Sequence, residues 1–415
     1  AVEVEQHKLS LDEQVSKDPA LAKWVSVIRR RHAAFQHALQ DVCTADGSLH
    51  DFCVTNGLFY FGLQREKNGW RFREWAPCAV GASLVGDFNR WDSGAHPCER
   101  DDEGVFSVYI PDDERGQSQL RAGSRYKLCL SMIAFGEARS VLCVPAWAKC
   151  TSQDAITGEI CAVVPLADVD AYCWQFERPK TPQSLRLYEI HPGIASSMPH
   201  VSDWTHLRKK VLPRIAELGY TGLLLLGVLE HGYYASFGYQ VTSYFAPASR
   251  FGPAHELQRL IDEAHGLGLV VLVEMVHSHA SSNAREGLPQ DEVAGPYFLP
   301  GAAGHHAVWG SRIFDFSRLE VVRFLLANLI WWSTAYRVDG FRFDAASTTL
   351  YRHRCLGAAG SFSGDYERYF GSSAEVDEAG LIYLKLANYV AAHAAPLPLI
   401  TIAEEHSGFP GLCVP

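Results

Sequence analysis

Gly340-Phe341-Arg342-Phe343-Asp344 and Thr401-Ile402-Ala403-Glu404-Glu405 are each an apolar run that ends in a carboxylate. In an extended strand, Arg342 and Asp344 fall on one face, while Phe341 and Phe343 point to the other. A charged face opposite an aromatic one, at the end of a strand set between helices, is what the reactive rim of a parallel barrel requires. Two carboxylates delivered in this way fit glycosyl transfer with a nucleophile and a general acid. Taken alone, they also fit two acids that cap the helices following their strands.

The rhythm around these segments is strand, helix, strand, helix. Strand-like runs lie at Leu185–Ile190, Gly222–Val228, Val270–Val276, Val338–Asp344 and Leu399–Glu404. Helical patterns separate them at Leu207–Leu218, His255–Leu267, Val321–Tyr336 and Ala379–Ala392. Apolar strands alternating with amphipathic helices predict a parallel sheet, and strand-end chemistry favours a barrel. Five of a barrel's usual eight strands can be counted, so 185–415 is expected to be the first part of an incomplete (β/α)8 TIM-type barrel and the chain a truncated one. Upstream, 57–165 carries short alternating runs broken by Gly, Pro, Asp and Asn, such as Trp70–Trp75, Ala82–Gly86, Val105–Ile110 and Tyr126–Leu130. That spacing predicts an antiparallel β-sandwich. Residues 1–56 read as a charged helical extension, and 166–184, with Pro179 and Pro182, as a linker. The fold class is multidomain α/β.

Composition narrows the function. The chain has 415 residues, 47% of them hydrophobic, enough for more than one core. A net charge of −10 without a basic run argues against nucleic acid or an anionic membrane as partner. Ten Trp and 17 Tyr suit the stacking of rings on pyranose faces, and equally suit large cores. Eleven cysteines without CxxC or zinc spacing read as reduced thiols in the cytosol. No apolar stretch is long enough to span a bilayer. The start, Ala1-Val2-Glu3-Val4-Glu5, is acidic, has no signal-peptide pattern and lacks an initiator Met, which leaves a plastid as the alternative compartment. His277 and His279 share a strand face, but no HExxH and no third ligand accompanies them, so no metal is expected. No GxxxxGK[ST] motif supports a phosphate loop, and no cofactor is implied.

The chain resembles eukaryotic-type 1,4-alpha-glucan branching enzymes of the alpha-amylase clan, in register from about residue 57 onward. The resemblance rests on Arg73-Glu74-Trp75-Ala76-Pro77, on Gly86 to Asp92, on Glu230 to Thr242 with Tyr233-Tyr234-Ala235-Ser236-Phe237-Gly238-Tyr239, on Ser249-Arg250-Phe251-Gly252, on Val276 to Ser281, and on the two opening segments. It implies that Asp344 is the nucleophile and Glu404 the acid and base, acting on an α-glucan polymer, glycogen or starch. The mechanism would be a retaining double displacement that makes α-1,6 branches. For that chemistry Asp344 should be ionised and Glu404 protonated, with Arg342 keeping the nucleophile charged and the carboxyls about 5–5.5 Å apart. The resemblance further implies that Tyr239 stacks on the reacting glucose and that His279 binds its hydroxyls. Trp75, Trp91, Lys127, Glu320 and Arg323 fall at glucan-contact positions, and His277 is assigned a structural place.

Three departures from the family pattern stand out. Glu274 takes the place of an Asp, and a shift of about an ångström at such a site can cost about a hundredfold in rate. Ala345 replaces a common Gly, and Glu405-His406 a common Asp-Val. The third acid, expected after a seventh strand, is absent, so the 415 residues alone are expected to be inactive and poorly stable. Two rivals follow: a hydrolytic debranching or amylase-type enzyme, and a non-catalytic glucan-binding scaffold.

Overall fold

In the computed structural model, residues 17, 19, 21–134, 137–165, 172–290, 295–357, 362, 367–371, 374–410 and 412 are described. The expectation for Ala1 to Glu5, most of the start of the extension and 166–171 of the linker lie outside them.

The sheet that carries the chemistry has five parallel strands, Leu187–Ile190, Gly222–Leu225, Val270–Met275, Gly340–Phe343 and Ile400–Ala403, lying side by side in chain order. All five expected strands form, each trimmed at one or both ends. The register sets Glu274 beside Arg342 and Arg342 beside Ile402. Since side chains alternate, Glu274, Arg342, Asp344 and Glu404 share one face of the sheet. Below them on that face, Leu224, Val270 and Leu272 form a small apolar cluster with Leu187, Leu226, Ile400 and Ile402. The opposite face, with Leu223, Val271, Val273, Phe341 and Phe343, joins the large core beneath the helices. Gly340 allows the fourth and fifth strands to meet, because a Cβ there would lie 2.2 Å from the Ile400 carbonyl oxygen.

The crossover helices follow their periodicity. Ala254–Gly266 buries Leu257, Leu260, Ile261 and Ala264, spaced for a single face. Leu319–Ala335 is apolar on every side and buried along nearly its whole length. Its polar handles are spent on the strand Ser243–Pro247: Asn328 Nδ2 and Trp332 Nε1 donate to the Tyr244 carbonyl at 2.7 and 3.0 Å, and Trp331 Nε1 to that of Phe245 at 2.7 Å. Helix Glu378–His393 begins at Asp377, whose side chain accepts from Gly380 N.

The sandwich packs one antiparallel sheet (Gly62–Glu66, Gly69–Trp75, Val105–Pro111, Glu99–Arg100) on another built around Arg125–Ala134. Phe72, Leu84, Phe106, Leu128, Leu130 and Ile160 fill the space between. Helix Val25–Asp46 reaches across to the barrel, where Arg30 and Arg31 pair with Glu378 at 3.0 and 3.3 Å. Among the described residues no helix is long and apolar enough to cross a membrane, and no cluster of His, Cys, Asp and Glu could hold a metal ion.

Candidate active site

Asp344 and Glu404 meet. The first follows the fourth parallel strand and the second the fifth, and backbone bonds fix both ends: Asp344 N donates to Met275 O at 3.0 Å and Glu404 N to Phe343 O at 2.9 Å. The two carboxyls are hydrogen-bonded to one another, closer than the ~5–5.5 Å expected around a bound sugar. Glu404 Oε2 also accepts from Ala345 N at 3.0 Å. Ala345 adopts the left-handed conformation, with φ 48°, at the turn that leads into Ala346–Leu350.

Their surroundings push the two carboxyls in the opposite sense from the one expected. Burial, then the negative charges of Glu274 and Glu404 and the bond to Glu404, push the Asp344 carboxyl up, and Arg342 only partly opposes them. Burial raises Glu404 as well, but the Ala345 amide, Arg342 and the Asp344 bond together hold it below its ordinary value. Asp344 is therefore the carboxyl held high and Glu404 the one held low. The aim of Arg342 adds to this difference. Instead of serving Asp344, its guanidinium pairs with Glu274 and, at 3.1 Å, with Glu404. Glu274 is 2% exposed and also accepts from the Tyr239 hydroxyl at 3.3 Å. Burial pushes Glu274 up to about 7 despite the guanidinium. Its extra methylene thus goes into bridging Arg342 and Tyr239.

His279 comes to the same rim, with its ring already committed. Nε2–H donates to the Tyr239 carbonyl at 2.8 Å, and Nδ1 accepts from the Ser278 hydroxyl at 2.9 Å. With burial pushing it down to about 4, the ring is neutral. It positions Tyr239 and, as arranged here, has no nitrogen left over for a sugar hydroxyl. Tyr239 is half-buried. His277 sits in the core between Asn328 and Tyr383, in keeping with a structural place.

The remaining expected contacts are placed elsewhere. Trp75 is buried against Tyr297, ring centroids 5.4 Å apart and perpendicular, where the sandwich joins the barrel core. Lys127 is 1% exposed and donates to Glu159 at 2.7 Å. Arg323 is buried over the Phe52 ring, bonded to Glu320, Asp46 and the Phe52 carbonyl, so it and Glu320 fasten the N-terminal helices to the barrel. Buried in these packed seams, Trp75, Lys127 and Arg323 offer a polymer no surface. Trp91 stays half-buried on the sandwich, its Nε1 donating to Asp87 at 3.1 Å. A hollow of about 440 Å³ lies there too, beside Arg125, Asp154, Thr157 and Glu159.

Two groups beside the rim carry no mark in the sequence reading. The Ala345 amide is invisible in a sequence. Trp309, against His279 at 4.8 Å, sits in a stretch with no periodicity, and only its pairing with His305-His306 marks it.

Residues 60–148 match the family described as Carbohydrate-binding module 48 (Isoamylase N-terminal domain). The structure resembles the catalytic module of a glycogen-degrading pneumococcal virulence factor (TM-score 0.60, 18% identity, 88% of this chain and 53% of that one). It also resembles a GBS pullulanase in complex with maltotetraose (TM-score 0.58, 16% identity, 84% and 46%). At those identities the likeness concerns fold alone: a carbohydrate-binding-type sandwich ahead of part of an alpha-amylase-type barrel. Closer relatives are the proteins named 1,4-alpha-glucan-branching enzyme from Dictyostelium discoideum (40% identical, 97% of this chain and 57% of that protein) and Aspergillus oryzae (41%, 97% and 57%). Another is the Arabidopsis thaliana 1,4-alpha-glucan-branching enzyme 2-2, chloroplastic/amyloplastic (39%, 96% and 48%). The chain is similar to these branching enzymes, and it spans about half the length of the curated relatives it matches.

Proposed function

We propose that this chain supplies the nucleophile and the acid of a 1,4-alpha-glucan branching site, acting on an α-glucan polymer. The observation that carries the reading is the convergence of Asp344 and Glu404 from adjacent parallel strands, with Arg342, Glu274 and Tyr239 around them.

Asp344 attacks the anomeric carbon of an α-1,4-linked glucose, forming a glycosyl ester as the bond to the leaving oxygen breaks. Glu404 gives that oxygen its proton. An acceptor 6-hydroxyl then passes its proton to Glu404 and attacks the same carbon, which releases the Asp344 carboxylate and leaves an α-1,6 bond. One proton suffices for the cycle. A glucose entering between the carboxyls must break their mutual bond. The proton has then to be on Glu404, with Asp344 charged, against the direction in which their surroundings push them. Binding energy from the rest of the polymer offsets this rearrangement.

The test is Asp344→Asn in the complete polypeptide, acting on amylose. Unsubstituted protein is expected to lower the iodine absorbance without releasing reducing ends. The variant should lose at least about a thousandfold of that activity while still binding glucan. Release of reducing ends would support hydrolysis in place of transfer. Unchanged behaviour of the variant would support the scaffold.

A further inference from the structure

Trp309 takes no part in the mechanism above, yet its surroundings hold it as firmly as any residue of the rim. Its amide donates to His306 Nδ1 at 3.1 Å, and its carbonyl accepts from Gln240 Nε2 at 2.8 Å. His306 is itself fixed, 2% exposed, with Nε2–H on the Arg354 carbonyl at 3.1 Å. The His306 ring lies under the indole, centroids 3.8 Å apart and planes 17° from parallel. On another side His279 leans against it at 4.8 Å. For all this anchoring, Trp309 is 38% exposed. Its polar backbone atoms are satisfied, and the hydrogen bonding of Tyr239, His279 and Gln240 makes it continuous with the carboxylate rim.

A large aromatic ring held rigid with a face open needs little further ordering when a ligand stacks on it. The occupant that fits is flat, apolar on one face and polar at its edges, and it arrives along the track that Tyr239 begins. We propose that Trp309 is a positioning residue of the branching site, a platform on which a second glucose of the α-1,4-glucan chain stacks, beside the one that faces Tyr239. The inference rests on the branching reading above. Because the platform is preorganised, it contributes to holding the chain and little to the bond-breaking step. It therefore governs KM, and with it the choice among chains of different length.

The test uses the complete polypeptide and linear malto-oligosaccharides of graded length. Trp309→Leu keeps apolar bulk on His306 but has no flat face. It is expected to raise KM about tenfold for the long chains with kcat within about twofold and an unchanged melting temperature. Trp309→Phe restores the face and should return KM to within about threefold. A KM unmoved by Trp309→Leu overturns the proposal. So does a fall of kcat and melting temperature together that Phe does not rescue, since that marks packing alone. Asp344→Asn, assayed alongside, separates the two claims. If it abolishes branching while Trp309→Leu leaves KM alone, only the platform fails. If it leaves branching intact, the reading beneath the platform fails first.

Discussion

The carboxylate rim and the seam between sandwich and barrel both bury acids, and they treat them in opposite ways. At the seam each acid has its own donors. Glu230 accepts from Thr151 Oγ1, Ser249 N and His231 N at 2.7, 2.9 and 3.0 Å. Glu74 takes the Ala146 amide at 2.9 Å and, more weakly, the Tyr297 hydroxyl at 3.4 Å. At the rim three acids, Glu274, Asp344 and Glu404, compete for one guanidinium and share protons. Private donors tie domains together and quiet a charge. Contested donors leave protonation states that a small displacement can exchange, which is what general acid catalysis demands. The same residue type is a fastener in one place and, in the function proposed above, a reagent in the other.

Removing the shared donor strikes hardest. Arg342→Gln is expected to cost about 3 kcal/mol of stability at pH 7, since it strands acids that are mostly out of water. The penalty should shrink at pH 5, where Glu274, pushed up to about 7, is protonated and needs no cation. Denaturant midpoints at the two pH values measure this, and an equal penalty at both would mean that the rim is not contested. Next comes the seam. Burial pushes Glu74 up to about 8. Its folded value lies above the unfolded one, so its contribution is complete below about 4.5 and drains away as pH climbs toward about 8. Glu74→Gln removes that drain. The variant should lose less stability than the parent between pH 5 and 8, by on the order of 2 kcal/mol, and parallel melting curves would refute it. The smallest effect belongs to Lys127. Its partner Glu159 is 57% exposed, so Lys127→Met returns a carboxylate to water and leaves a stem of similar shape. Stability should stay within about 1 kcal/mol and glucan affinity should not move. Lost affinity, read by titration calorimetry with maltoheptaose, would erase the line between seam and contact surface.

Much of this was legible in the sequence for reasons of period. Apolar runs of strand length separated by amphipathic helices dictated the parallel sheet. The two-residue spacing of Arg342 and Asp344 put them on one face, and Glu404 at the next strand end joined them. What was not legible depends on register and docking. Whether Arg342 serves Asp344 or Glu274 is decided by the cross-strand pairing of Glu274 with Arg342, a long-range fact. Trp75, Lys127 and Arg323 look like surface contacts in a string of letters. They are buried because the sandwich and the N-terminal helices come to rest on them. Nε2 of His279 is committed by the loop that brings back Tyr239, forty residues earlier in the chain. Helix Leu319–Ala335, expected to be amphipathic, is instead buried along nearly its whole length.

The amide of Ala345, bonded to Glu404 Oε2 at 3.0 Å, makes the site its own indicator. Its proton resonance moves with the charge on the oxygen it faces, so a nitrogen-15 label at this one position would display the acid's titration directly. Adding an oligosaccharide during such an experiment would show, at a single cross-peak, the moment at which Glu404 picks up its proton.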